Sequence, residues 1–300
     1  MVSFVILHYF DDKLTIGCIE SIRRCCKDND YKIVVVDNAS PNDSGKIVNE
    51  CIGDSQDCVF IKSDVNLGFA NGNNLGYKYA KEHFNPDYMF VMNNDTVLQT
   101  ENVESVLEKI HSETNFDILG PDVYTPNGEH HNPTSLEDTW NREETIALIN
   151  RFNRLLRWYF FFYFKHICSK ILNRLRSKSK KRRENFVKDI NIGRKRNAHL
   201  MGACYILSRS FIEQEENVFD PRTFIYVEEV IFTYINRKKN REIIYDDAIK
   251  VLHMHAAATK KSSRNIYKRV KSKFKNMVHS LNVYLQVIEE YEGKNNNKEK

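Results

Sequence analysis

The sequence predicts an α/β protein built on a largely parallel sheet. Three observations carry that expectation. Short β-branched apolar runs recur through the first hundred residues, each ends in polar residues, and stretches of helical period separate them. The runs are 2–7 (VSFVIL), 32–36 (KIVVV), 59–62 and 90–92. The first intervening helix is 14–26, carrying Leu14, Ile16, Ile19 and Ile22, with Arg23 and Arg24 near its end. Helices at 45–51 and 74–83 follow. No GxGxxG follows the first strand, which argues against a dinucleotide oxidoreductase.

The 300 residues allow one large domain or two small ones, and 41% apolar residues suffice for a packed core. The N-terminal segment MVSFVILHYFDD has the pattern of a first strand rather than a signal peptide. No apolar run reaches the roughly 18 residues of a spanning helix. The seven cysteines are scattered without a CxxC pair, which predicts reduced thiols and a cytosolic setting.

In parallel α/β sheets ligands sit beyond the carboxyl ends of the strands. That rule singles out Tyr9, Asp37-Asn38 and Asn93-Asn94-Asp95. An ordinary polar turn would also tolerate these residue types. Residues 64–76 (DVNLGFANGNNLG) hold three Gly and four Asn. They suit close approach of a backbone to a ligand, with a phosphate seat where Asn71, Asn73 and Asn74 lead into a helix, or a plain surface loop.

Composition changes between 129 and 198. Residues 151–183 contain twelve Lys/Arg and no acid, while Phe152, Leu155, Leu156, Tyr159 and Phe160 begin an apolar stripe at helical spacing that runs to Leu175. This pattern suits an in-plane membrane anchor, with RSKSKKRR (176–183) attracting anionic headgroups. A core helix with a solvated basic tail shares it. Nucleic acid is not expected as a partner, because the aromatics lie on the apolar stripe and not among the cations. A strand-like run at 199–208 carries Gly202, an acidic pair Glu228-Glu229 follows FIYV, and a last strand spans 248–253. Residues 260–275 add eight Lys/Arg without an acid, and GKNNNKEK closes the chain with a disordered composition. The expected organisation is one domain over 1–260, with 129–198 inserted in it, and a basic helical tail over 261–300.

VVVDNASPND, NLGFANGNNLG, FVMNNDT, HLMGACYILSRS and FDPRTFIYVEE follow one another in this order. Together they resemble the family 2 glycosyltransferases, inverting enzymes with a GT-A fold. The nearest likeness is to the rhamnosyltransferase-like bacterial branch that builds capsule and O-antigen chains. It covers roughly 1–128 and 197–260.

The resemblance implies a GT-A nucleotide-diphospho-sugar transferase fold, a Rossmann-like mixed sheet flanked by helices. It implies a nucleotide-diphosphate sugar donor, dTDP- or UDP-linked, and a saccharide acceptor carried on a polyprenyl-diphosphate lipid. The setting would be cytoplasmic, peripheral at the inner face of the membrane. Tyr9, Asp37 and Asn38 would hold base and ribose, with Asn66, Gly68, Asn73, Asn94 and Gly202 completing the donor site. Asp95 would hold Mg²⁺ or Mn²⁺, with a histidine nearby, His253 in preference to His255. Glu229, paired with Glu228, would be the base that deprotonates the acceptor. The sequence departs from the family at Asn38 (usually a second carboxylate), at Glu229 (usually Asp) and at Ile231 (often Asp). These departures leave open a second function, that of an inactive homologue serving as a binding or scaffold subunit.

Overall fold

Four parallel strands form the half of the sheet that the sequence pattern predicts. In the computed structural model, residues 1–26, 30–136, 139–158, 192–254 and 266–296 are described. They fall into two units: Met1–Thr139 with Asn191–Ser262, and Trp140–Ile190 with Ser263–Lys300.

The first unit is the α/β body. Strands β1 (Val2–His8), β2 (Tyr31–Asp37), β3 (Cys58–Lys62) and β4 (Tyr88–Asn93) lie parallel in the order β3-β2-β1-β4. The crossovers are helices α1 (Asp12–Cys25), α2 (Ser44–Ile52) and α3 (Gly68–Phe84). Val5, Val34 and Val36 on one face and Phe4, Ile6, Ile33 and Val35 on the other are fully buried. Burial on both faces explains why these strands read as continuous apolar runs.

Beyond β4 the sheet becomes mixed. After β5 (Thr96–Leu98) and α4 (Val103–Thr114) comes β6 (Ile118–Tyr124). The short β7 (Lys195–Arg196), β8 (Cys204–Ser208) and β9 (Ile243–His253) follow later in the chain. β8 pairs antiparallel with β4 and β6, and β9 runs parallel to β6. β5 pairs antiparallel with the far end of β9, matching Thr96 with His253. The expected strand at 199–208 is therefore shorter, because Gly202 lies in a turn and the Met201 N–H donates to Asn132 Oδ1 (3.0 Å) instead of to a neighbouring strand.

Helix α3 starts at Gly68, six residues before the expected position, so Asn71, Asn73 and Asn74 lie inside it. Asn is a weak helix former, but these side chains are held by tertiary bonds. Asn74 Oδ1 accepts from the Val218 and Phe219 N–H groups (3.0 Å each), and its Nδ2 donates to Phe219 O (2.8 Å). Asn71 Nδ2 donates to Pro221 O (2.9 Å). The first N–H groups of α3 are also taken: Gly68 N donates to Asn66 Oδ1 (2.9 Å) and Phe69 N to Phe224 O (2.6 Å). The helix start expected as a phosphate seat is thus capped by the protein itself.

The last helices of the body are α6 (Arg209–Gln214) and α7 (Glu228–Lys238). The second unit pairs α5 (Arg142–Arg157) with α8 (Ile266–Asn296). Asn141 and Glu144 form a capping box that starts α5. The two helices run antiparallel. The Phe152 and Phe274 rings lie 5.7 Å apart, Tyr284 OH donates to Trp140 O (2.7 Å), and Arg142 meets Glu289 (3.2 Å). The helix expected over 151–183 begins earlier, at Arg142, and its part from 159 onward lies outside the described residues. Its described part matches the pattern, with Phe152, Leu155 and Leu156 half-buried and Arg151, Arg154 and Arg157 exposed. α8 reaches Asn296, so much of GKNNNKEK is helical where a disordered end was expected; 297–300 lie outside the described residues. Among the described residues no helix is long and apolar enough to cross a membrane.

The Asn74 clamp should be a main support of the body. Asn74→Ala leaves two buried N–H groups unpaired, and urea unfolding should show a loss of about 2–4 kcal/mol.

Candidate active site

The parallel strands end level with one another. His8 pairs with Asp37 across β1 and β2, and Leu7 pairs with Asn93 across β1 and β4. Tyr9, Asp37-Asn38 and Asn94-Asp95 therefore leave the sheet along one edge.

At the β2 end, Asp37 is buried and accepts from Ser40 N (3.0 Å). Gly45 on α2 closes over it: a Cβ there would sit 2.1 Å from Asp37 Oδ2, so only glycine fits. Tyr9 is half-buried, its ring edge-on to Phe10 at 4.8 Å. Asn38 is turned toward the 66–68 loop. Its Oδ1 accepts from Leu67 N (2.8 Å), and its Nδ2 donates to Gly68 O (2.9 Å) and Asn66 Oδ1 (3.4 Å). Gly68 has φ of +78°, and a Cβ on it would fall 2.3 Å from Phe224 O. Asn66 is exposed beside it. Asn73 is buried and donates to Phe69 O of its own helix (2.9 Å).

At the β4 end, Asn94 and Asp95 carry the chain into β5. Asp95 Oδ1 lies 3.2 Å from His253 Nε2, and Asp95 O accepts from Met254 N (2.8 Å). Both side chains of the pair are mostly buried, at 14% and 8% exposure. His255 lies outside the described residues. Asp95 and His253 offer one oxygen and one nitrogen, and no cluster of three or more His, Cys, Asp or Glu occurs among the described residues. Two protein ligands fit a hard cation that draws its remaining ligands from phosphate and water, as Mg²⁺ and Mn²⁺ do.

Glu228 and Glu229 are the first two residues of α7, where acids favour the helix dipole. The chain enters that helix through Tyr226 (φ +77°) and Val227 (φ +70°), two consecutive left-handed residues, one of them β-branched. Each costs on the order of 1–3 kcal/mol, and such strain concentrates at functional sites. The half-buried Glu229 faces Gly202, whose added Cβ would lie 3.8 Å from Glu229 Oε2. Glu228 is buried, and burial pushes its carboxyl up to about 8, with the neighbouring charge of Glu229 acting the same way and a bond from Thr223 opposing it. A neutral Glu228 adds no second negative charge beside Glu229.

Sequence reasoning passed over His8, Thr15 and Ser44. His8 Nδ1 lies 2.6 Å from Thr15 Oγ1, His8 Nε2 lies 3.0 Å from Ser44 Oγ, and Asn94 Nδ2 donates to Thr15 Oγ1 (3.0 Å). The one available signal was a histidine ending an otherwise apolar strand. Thr15 and Ser44 look like ordinary helix residues until the fold brings them together.

The raised Glu228 carboxyl has a stability consequence. Its folded value stands above the ordinary 4.5, so unfolding releases a proton between the two values. The contribution is fully present below about pH 4.5 and is lost as pH rises through about 8. Glu228→Gln has no such proton to lose. Its melting temperature should therefore gain on the wild type as pH rises from about 5 to 8, and a constant difference would mean that Glu228 is ionised in the folded protein.

The sequence pattern of glycosyl transferase family 2 matches residues 3–196. Over 222 residues the chain is 26% identical to the low-salt glycan biosynthesis hexosyltransferase Agl10 of Haloferax volcanii, covering 74% of this chain and 58% of that one. A shorter match, 26% over 111 residues, is to the teichoic acid poly(glycerol phosphate) polymerase of Staphylococcus epidermidis, covering 37% of this chain and 15% of that one. The chain thus spans under two thirds of either relative. In structure it is similar to GalNAc-T7 solved with UDP, GalNAc and Mn²⁺ (TM-score 0.55, 13% identity, 85% of this chain and 44% of that one). It is also similar to S. aureus TarS 1-349 in complex with UDP-GlcNAc (TM-score 0.54, 12% identity, 91% and 66%). At such identities the likeness is one of fold, the GT-A fold. With the family pattern spanning most of the chain, this protein belongs to glycosyl transferase family 2.

Proposed function

We propose that this protein moves a sugar, with inversion, from a nucleotide-diphosphate donor to a lipid-linked saccharide during synthesis of a cell-surface polysaccharide such as a capsule or O-antigen. The observation that carries the donor half is the Asp95–His253 pair on the same strand-end edge as Tyr9 and Asp37. Base and ribose would lie toward Tyr9 and Asp37 and the diphosphate toward Asp95. Gly202, where an added Cβ would meet nothing nearer than Glu229 Oε2 at 3.8 Å, would flank the donor, while Gly68, buried under Phe224 O, would support the 66–68 loop instead. Asp95 and His253 would hold Mg²⁺ or Mn²⁺, which as a Lewis acid offsets charge on the departing diphosphate. Glu229 would take the acceptor hydroxyl's proton as its oxygen attacks the anomeric carbon. The buried Glu228 would lie behind Glu229, and the strained Tyr226–Val227 turn would fix where α7 begins. Agl10 in glycan biosynthesis and the teichoic acid polymerase support a polysaccharide role. UDP or dTDP is the nucleotide this reading favours, with rhamnose among the candidate sugars.

The acceptor half rests on the second unit. Antiparallel pairing brings the three arginines of 151–158 together with the five Lys/Arg of 266–275, and neither stretch contains an acid. Glu143, Glu144, Glu289 and Glu290 belong to the opposite end of the pair. One pole of the helix pair is thus cationic, with Trp158 exposed beside it. A cation-rich pole with an interfacial aromatic suits an anionic bilayer, where a lipid-linked acceptor resides.

Melting curves with UDP, dTDP, GDP and CMP, each with and without Mn²⁺, test the donor half. One diphosphate should raise the melting temperature, and more so with metal. Glu229→Gln should keep that shift while turnover falls by about 10²–10⁴-fold. Full turnover in that variant removes Glu229 as the base, and no shift with any nucleotide favours a scaffold role. Flotation tests the membrane half. The wild type should float with phosphatidylglycerol vesicles and not with phosphatidylcholine. Replacing Arg151, Arg154, Arg157, Lys271, Lys273 and Lys275 by Gln should abolish flotation, and equal flotation of that variant excludes this pole.

A further inference from the structure

Three elements meet at one buried hydroxyl. Thr15, fully buried on α1, donates its single proton to Asp11 O (3.1 Å). Its oxygen must then accept from both other neighbours, the Asn94 amide (3.0 Å) and His8 Nδ1–H (2.6 Å). His8 Nε2 in turn faces Ser44 Oγ (3.0 Å), a hydroxyl that also reaches Asn42 Oδ1 (2.8 Å). Burial holds His8 below its ordinary value, against the pull of Asp37, Asp12 and Asp11. The chain of bonds runs from Ser44, next to the glycine that covers Asp37, through His8 and Thr15 to Asn94, next to Asp95. It therefore spans the two ends of the strand-end row.

Packing alone does not call for this arrangement. A valine would fill the space of Thr15, and apolar residues at positions 8 and 94 would leave nothing to satisfy. Instead four polar side chains, each at most 8% exposed, are committed to one another behind the turn that carries Asp95. An amide anchored in this way cannot swing, so the backbone of the turn is held and Asp95 leaves it in a fixed direction.

We propose that Thr15 is a positioning residue of the donor site: by holding Asn94 it fixes the Asp95 turn, and through His8 and Ser44 it sets the spacing between that turn and the Asp37 end. This rests on the donor reading above. It also gives Asn94 the part of an anchor rather than a donor contact.

The test uses the full chain and Thr15→Val, which keeps the shape and loses the hydroxyl, beside Thr15→Ser, which keeps the hydroxyl. UDP, or whichever of dTDP and GDP stabilises the wild type, is titrated with and without Mn²⁺. The readout is the ratio of the two dissociation constants. In Thr15→Val the metal-dependent gain should shrink about five- to tenfold, while metal-free affinity stays within about twofold. Thr15→Ser should restore the wild-type ratio. A wild-type ratio in Thr15→Val overturns the proposal. So does an equal loss in both variants accompanied by a fall in melting temperature, the mark of a merely structural role. If the wild type binds none of the three diphosphates with any metal gain, the donor reading itself fails and this proposal with it.

Discussion

Two residues, Asn94 and Asp95, take the chain from the middle of the sheet to its far edge. β4 ends at Asn93, and β5 begins at Thr96 against the end of β9. Other features of the site depend on that short passage. It sets Asp95 against His253, a residue 158 positions later. It also turns the Asn94 amide back onto α1. β9, eleven residues long, pairs with β6 on both sides of a register shift at Pro121/Asp122. The other side of β9 takes β7 at Ile244 and Tyr245 and β5 at Val251 to His253. A β9 that stopped short of Val251 would leave β5 without this partner and Asp95 with no imidazole opposite.

The second constraint is electrostatic. The strand-end edge gathers acids that would repel one another if all were charged and close. The fold separates them by environment. Asp37 is buried against backbone N–H and Gly45, and Asp95 faces an imidazole. Glu228 is buried to the point of keeping its proton near neutral pH. Glu228 is thereby set apart from the half-buried Glu229 beside it, and adjacent carboxyls in different environments can take different roles. The left-handed turn at Tyr226 and Val227 is consistent with that arrangement, since it starts α7 with Glu228 directed inward and Glu229 half-exposed toward Gly202.

Much of this was legible in the sequence, for identifiable reasons. Strands buried on both faces write themselves as apolar runs, and the polar residues that end them are then easy to locate. Tyr9, Asp37 and Asp95 were found that way. The start of α3 was not legible, because a segment rich in Asn and Gly has loop-like propensity. It is helical here because Asn71 and Asn74 bind the backbone of 218–221, nearly 150 residues away, and no local pattern records that. The strand at 199–208 was overextended for the converse reason, since apolar residues continued past the point where Asn132 captured the backbone. The His8–Thr15–Asn94 contacts were invisible because each partner looks ordinary within its own element.

Asn38 shows how a departure from a family pattern can be structural. A carboxylate there could accept from Leu67 N as Asn38 Oδ1 does, but it could not donate to Gly68 O. The 66–68 loop presents one backbone donor and one backbone acceptor to this position, and an amide matches both where an acid matches one. The loop in turn holds Gly68 in its left-handed conformation directly under Phe224 O. That contact lies four residues before the acidic pair, so the residue at 38 helps to fix the segment leading to Glu228 and Glu229. A second acid at 38 would add a charge beside Asp37 and loosen the loop. The amide keeps the loop closed and leaves Asp37 as the acid at the β2 end. In this chain the residue at 38 makes a scaffold contact that an acid could make only in part.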